Sequence, residues 1–245
     1  MMLTVKDIAK MIDHSLLNPK CSDADIRQGC ELAKAYDVAT VCVRPTDLKL
    51  AAEVLRGTDV LPTTVIGFPH GSNRTDVKVF EAEQAISDGA LELDVVLNIG
   101  KLLSGEYEYV KREIQAICNC AHKHGVIVKV IFENCYLTDE QKVAVCKLCD
   151  EAGADFVKTS TGYGTGGATV EDLMLMRANT KPETKVKAAG GVRTLDSALA
   201  VRKLGCARFG ATATKAILEE AKQRYAKGEL TELPDDAATV IGGSY

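Results

Sequence analysis

Short runs of β-branched and apolar residues return at a near-constant interval along this 245-residue chain, each divided from the next by a longer stretch of helical periodicity. They lie at 12–14, 38–43, 63–67, 91–97, 126–132, 155–159, 185–189 and 207–211. A strand begins roughly every 28 residues, the spacing of a repeated strand–helix unit. The runs are apolar on both faces, as strands of a parallel sheet must be. Helix start signals fall between them: Ser22 before Asp25, Thr138 before Gln141, Thr169 before Asp172 and Thr194 before Leu195. Gly89, Gly125, Gly153 and Gly205 stand just before strands, at helix C-cap positions. Eight such units predict an α/β protein with a single-domain (β/α)8 TIM barrel over 1–226 and a flexible C-terminal tail over 227–245. An open doubly wound sheet has the same rhythm and stays the alternative, because strand order is not written in one sequence.

Charge and composition narrow the partners. With 30 Lys+Arg against 34 Asp+Glu the net charge is −4, which supplies no global positive field for nucleic acid. No apolar run approaches the ~18 residues of a membrane span, and the start MMLTVKDIAK lacks a signal-peptide core, so a cytoplasmic protein without membrane attachment is expected. Nine cysteines, an odd number, read as free thiols in a reducing compartment. Two cysteine groups invite a zinc or redox reading: Cys118, Cys120, His122 and His124, and the pair Cys146 and Cys149. Both fall in stretches that look helical, whereas zinc ligand pairs come from tight turns. A reactive CxxC sits at a helix N-terminus, but Cys146 and Cys149 follow the Thr138 capping box by two turns. Core packing is the plainer reading, with no metal and no cofactor.

Within the strands the ionisable residues are the exceptions. Asp94 interrupts an apolar run, Lys158 ends one, and Lys187 lies inside another. A charged group at a strand position loses solvation and either pairs or shifts its pKa. In a barrel, Lys158 and Lys187 come from neighbouring strands six and seven, so each ammonium disfavours the other's charge. One amine can then be neutral near pH 7, attack a carbonyl and form an imine, an electron sink for breaking a carbon–carbon bond. Asp94 could move protons at the reacting centre. The bland alternative has the lysines reaching solvent and Asp94 capping a turn. A metal reading of Asp94 with Glu92 lacks an accompanying histidine.

Glycines mark two further places. The run from Gly162 through Tyr163, Gly164, Thr165 and Gly166 to Gly167 satisfies GxGxxG, and Glu183 lies about twenty residues on, which together suggest a nicotinamide- or flavin-dependent oxidoreductase. Against this, Thr159-Ser160-Thr161 separates strand from glycines, the unit is the sixth of eight, and Glu183 precedes its strand. Gly190 and Gly191 after strand seven, and Gly210 with Thr212 after strand eight, stand where barrels hold phosphate, and Arg193 could add a charged hydrogen bond. Cys42 ends strand two beside the same mouth, as a packing thiol in preference to a nucleophile.

Six segments in order carry a resemblance: IDHSLL at 12–17, VCVRP at 41–45, ELDVV at 92–96, FVKTSTG at 156–162, VKAAGGVR at 186–193 and FGAT at 209–212. Together they resemble the deoxyribose-phosphate aldolase family over nearly the full length. The resemblance implies a class I aldolase on a (β/α)8 barrel, reversibly cleaving 2-deoxy-D-ribose 5-phosphate to D-glyceraldehyde 3-phosphate and acetaldehyde. By position it implies Lys158 as the Schiff-base lysine, Lys187 as the residue tuning its pKa, and Asp94 as organiser of proton transfer. It also implies Asp13 and Cys42 in the pocket, and Gly162, Gly190, Gly191, Arg193, Gly210 and Thr212 around the phosphate. Tyr245 matches a terminal tyrosine that assists proton transfer at the acetaldehyde methyl carbon. Substrates would be a small phosphosugar and aldehydes, and the assembly a homo-oligomer, dimer or tetramer. Some members carry lysine directly after TSTG where this chain has Tyr163, which bears on phosphate selectivity. A non-catalytic sugar-phosphate sensor on the same barrel would bind without forming an imine.

Overall fold

The structure, a computed structural model, describes residues 2–234 and 241. Eight strands form one closed parallel barrel in chain order: β1 (Ile12–Leu16), β2 (Thr40–Val43), β3 (Leu61–Ile66), β4 (Glu92–Val96), β5 (Ile127–Ile131), β6 (Phe156–Lys158), β7 (Lys185–Ala188) and β8 (Cys206–Ala211), with β8 pairing back onto β1. The single (β/α)8 barrel is therefore the fold, and the open sheet is excluded by that closure.

Ten helices surround the strands among the described residues. They are α1 (Val5–Ala9), α2 (Asp23–Ala35), α3 (Leu48–Leu55), α4 (Thr75–Ser87), α5 (Ile99–Leu103), α6 (Tyr107–His122), α7 (Asp139–Ala152), α8 (Val170–Ala178), α9 (Leu195–Lys203) and α10 (Thr214–Ala226). Ser22, Thr138 and Thr194 cap α2, α7 and α9 with reciprocal boxes, and Thr169 caps α8, as their sequence signals predict. Gly153 ends α7 in the left-handed conformation (φ 80°) that a side chain adopts only at a cost. None of the described helices is long and apolar enough to cross a membrane.

Strand parity divides the interior in two. Outward residues such as Ile12, Val41, Leu93, Val95, Val128, Val130, Val157 and Val186 join the helices in one apolar core. Cys118, Cys146 and Cys149 belong to that core, and burial pushes the thiols of Cys118 and Cys146 up to about 12. They pack in the interior, and burial favours their neutral thiol form. Inward positions of the barrel are instead rich in charge, where branched aliphatics usually fill the space.

The chain after α10 returns to the N-terminal foot of the barrel. Met2 bridges Thr231, the Leu3 N–H donates to the Leu230 carbonyl at 2.9 Å, and Leu230 is fully buried. Arg202 and Lys203, at the end of α9, hold Glu232 and the Pro234 carbonyl. The first part of the segment expected to be a tail is thus anchored; Gly242, Gly243 and Tyr245 lie outside the described residues.

Candidate active site

Inside the barrel, four basic side chains meet three acidic ones. Asp94 on β4 is the hub: its Oδ1 accepts from Lys129 Nζ at 2.8 Å, and its Oδ2 accepts from both Lys158 Nζ at 2.7 Å and Lys187 Nζ at 2.8 Å. Asp13 on β1 pairs with Lys187, lies 3.6 Å from Lys129 Nζ, and accepts from Arg208 Nη1 at 2.7 Å. Glu92, two residues before Asp94 and on the same face, pairs with Lys129 and with Arg208 Nη2 at 3.2 Å. Strand register explains the meeting, because Asp94 stands opposite Lys129, Lys158 opposite Lys187, and Lys187 opposite Arg208.

Four cations against three carboxylates leave one amine short of a partner. Among the described residues, Lys187 touches two carboxylates, Asp13 and Asp94, whereas Lys158 has only the Asp94 oxygen that Lys187 also claims. Electrostatics divide the two accordingly. Burial pushes the Lys158 ammonium down, Asp94 opposes this, and the Lys187 charge adds to the fall, so its pKa ends below the ordinary lysine value. Burial also weighs on Lys187, but Asp13 and Asp94 outweigh it and hold its pKa above the ordinary value. Burial would raise the Asp94 carboxyl, yet Lys129, Lys158 and Lys187 hold it well below the usual range. The result is an anionic Asp94, a charged Lys187 and, in Lys158, the amine most easily left neutral.

Lys158 and Lys187 form the floor of a 590 Å³ cavity at the C-terminal end of the strands, where barrel chemistry is placed. Asp13 and Cys42 reach its wall, and Asp94 lies beneath the two lysines, accepting a hydrogen bond from each. Gly162, Gly190, Gly191, Arg193, Gly210 and Thr212 line the upper part. Gly190 and Gly191 have φ of 82° and 93°, which turns successive amides in a way side-chain-bearing residues resist. The N-terminus of α10 has no side-chain cap, so its first amides are not claimed by one. Burial and the Asp94 charge push the Cys42 thiol up to about 11, against a nucleophilic role.

The GxGxxG run has a packing explanation. A Cβ on Gly164 would come 2.9 Å from the Glu133 side chain, and one on Gly167 would come 2.9 Å from the backbone of Gly190. These glycines let the loop after β6 lie on its neighbours. Tyr163 spans the mouth, its hydroxyl donating to the Leu17 carbonyl at 2.7 Å and its ring meeting Phe68 edge-on at 5.4 Å. Among the described residues no group of three His, Cys, Asp or Glu could hold a metal ion.

The sequence-predicted Asp13, Asp94, Lys158 and Lys187 come together; Tyr245 lies outside the described residues. Lys129, Arg208 and the pairing role of Glu92 were not anticipated. Lys129 and Arg208 carry the same signal as Asp94, a charge at an inward position of an apolar strand.

A closed parallel barrel with an amine of lowered pKa at its C-terminal mouth has the layout of a barrel enzyme. Residues 8–220 match the DeoC/LacD family of aldolases. A deoxyribose-phosphate aldolase of Rhodopirellula baltica is 53% identical over 218 residues, 89% of this chain and 90% of its own. One from Thermococcus gammatolerans is also 53% identical, covering 88% and 97%. The tetrameric deoxyribose phosphate aldolase of Aeropyrum pernix superposes with a TM-score of 0.81 at 33% identity, over 89% of this chain and 92% of that one. The chain belongs to the DeoC/LacD aldolase family.

Proposed function

We propose that this aldolase reversibly cleaves 2-deoxy-D-ribose 5-phosphate to D-glyceraldehyde 3-phosphate and acetaldehyde through an imine on Lys158. The observation that carries this reading is the asymmetry between the two lysines: one amine with a lowered pKa on the cavity floor, beside one held charged. In the cleavage direction the neutral Lys158 nitrogen attacks the sugar's aldehyde carbon and water leaves. Loss of the C3 hydroxyl proton, organised by Asp94, breaks the C2–C3 bond, and its electrons move into the iminium to give an enamine. D-glyceraldehyde 3-phosphate departs, the enamine carbon is protonated, and hydrolysis releases acetaldehyde and the amine.

Lys187 keeps the Lys158 pKa low, Asp13 holds Lys187, and Cys42 shapes the wall. Gly162, Gly190, Gly191, Arg193, Gly210 and Thr212 form the phosphate end, supported by their common position on the cavity's upper wall. Tyr245 is assigned, from the resemblance alone, to proton transfer at the methyl carbon; its deletion should slow exchange of acetaldehyde protons with deuterated water and spare imine formation. A cytoplasmic location and a homo-oligomer, dimer or tetramer, complete the reading; the tetrameric Aeropyrum relative supports assembly, which sedimentation tests.

The decisive experiment is borohydride reduction in the presence of acetaldehyde, followed by peptide mass analysis. An ethyl group on Lys158 is expected. Attachment only to Lys187, or turnover with no trapped adduct, would overturn the assignment.

A further inference from the structure

Beyond the last residue of β5 the chain continues to follow β6. The Phe132 N–H donates to the Lys158 carbonyl and the Asn134 N–H to the Thr159 carbonyl, each at 3.0 Å. Two steps on one side therefore answer one step on the other, and the extra residue is Glu133. It takes a left-handed backbone (φ 56°), which costs free energy in any residue but glycine, and such bulges re-aim a side chain beside active sites.

The side chain so aimed is 2% exposed. Its oxygens accept the Thr161 N–H at 3.2 and 3.4 Å and make a short contact with the Thr161 hydroxyl. The Thr161 oxygen in turn accepts the Tyr163 N–H at 3.0 Å. Glu133 has no ion pair among the described residues, so a buried carboxyl is kept there by one threonine. Burial on those terms is costly, and so is the backbone that permits it. Thr161, Gly162 and Tyr163 line the cavity, whereas Glu133 stands behind them.

We propose that Glu133 is a positioning residue: its carboxyl fixes Thr161, and through it the amides of Gly162 and Tyr163, setting the grip of this loop on the phosphate end of the substrate. The inference rests on the function proposed above. Two costly features, a strained φ and a buried carboxyl without a cation among the described residues, meet at one residue that supports the cavity wall without lining it.

The test compares 2-deoxyribose 5-phosphate with 2-deoxyribose as substrates of the full chain. In Glu133→Ala the ratio of kcat/KM for the phosphorylated over the unphosphorylated sugar should fall about tenfold or more, the scale of one hydrogen bond to a charged group. The loss should appear in KM for the phosphorylated sugar, with borohydride trapping of acetaldehyde on Lys158 at the wild-type rate. Glu133→Gln retains an acceptor for the Thr161 N–H and should recover most of the ratio. Thr161→Val retains that amide contact, loses the hydroxyl, and should fall between. An Ala variant that loses both substrates equally, or that slows trapping as much as cleavage, makes Glu133 a general prop and overturns the proposal; an unchanged ratio does the same. Should the Ala variant fail to fold, an unchanged ratio in Thr161→Val overturns it. A wild-type chain that neither traps acetaldehyde nor cleaves the phosphorylated sugar removes the proposed function itself, which that control reveals separately.

Discussion

At the scale of single residues, Lys187 shares an Asp94 oxygen with Lys158 and adds its charge to the burial that lowers the Lys158 pKa. Replacing Lys187 by Leu removes the ammonium that depresses Lys158 and frees Asp94 to hold it, and both changes raise the Lys158 pKa. The neutral amine then requires a higher pH, so the pH optimum should move upward and kcat at neutral pH fall on the order of a hundredfold. A pH–rate profile checks this; a slow variant with an unmoved optimum would make Lys187 a positioning group only. Cysteines separate in the same way. Cys42 is 2% exposed with a raised thiol pKa, whereas Cys135 is exposed. Limited alkylation at neutral pH should label Cys135 first and leave Cys42 unmodified in the peptide map. Asp94, Lys158 and Lys187 were legible in the sequence because each breaks an apolar strand, where charge is expensive. Lys129 and Arg208 carry the same mark, yet which carboxylates they meet depends on register around the barrel, which one sequence does not contain. Glu133 left no pattern at all, since its burial follows from a bulge formed only when β5 meets β6.

Elements are tied by buried polar contacts that their own sequences do not announce. Lys78 on α4 is fully buried, and its Nζ donates to the Val96 carbonyl at 2.8 Å and to Glu113 of α6 at 2.6 Å. This joins two helices to the end of the strand that carries Asp94. Removing one partner strands a buried charge, so Lys78→Met should cost about 3–5 kcal/mol in urea unfolding, and the double change with Glu113→Leu far less than the sum of the singles. On the opposite side, His14 of β1 meets Thr214 at the start of α10 at 2.9 Å. Burial lowers its pKa from 6.5 to about 4, so between those values the unfolded chain binds a proton that the folded one does not. Stability contributed there is complete above pH 6.5 and is lost as pH falls toward 4, in total about 3 kcal/mol. Stability measured across that window should slope upward with pH, and His14→Gln should flatten the slope. The capping boxes were readable because their signal is local; these cross-element ties join residues far apart in the chain.

For the whole molecule, the eightfold rhythm was readable and its closure was not, because β8 meeting β1 is a fact of strand order. Chemistry carried by an imine supplies its own electron sink, so activity should persist after dialysis against a chelator without added nicotinamide. Loss of turnover restored by zinc would return attention to the cysteine and histidine positions. The pairing of Met2 with Thr231 at the foot has a different consequence: the barrel is a ring with a seam, and the seam is on the side away from the mouth. Chain ends that lie close together at a surface tolerate circular permutation. A circular permutant joined across that seam and reopened in the exposed turn from Lys123 to Gly125 should keep eight strands in the same neighbour order, and Lys158 should still capture acetaldehyde. The lowered pKa of Lys158 comes from burial and from neighbours on other strands, and that company depends on neighbour order and not on the starting point.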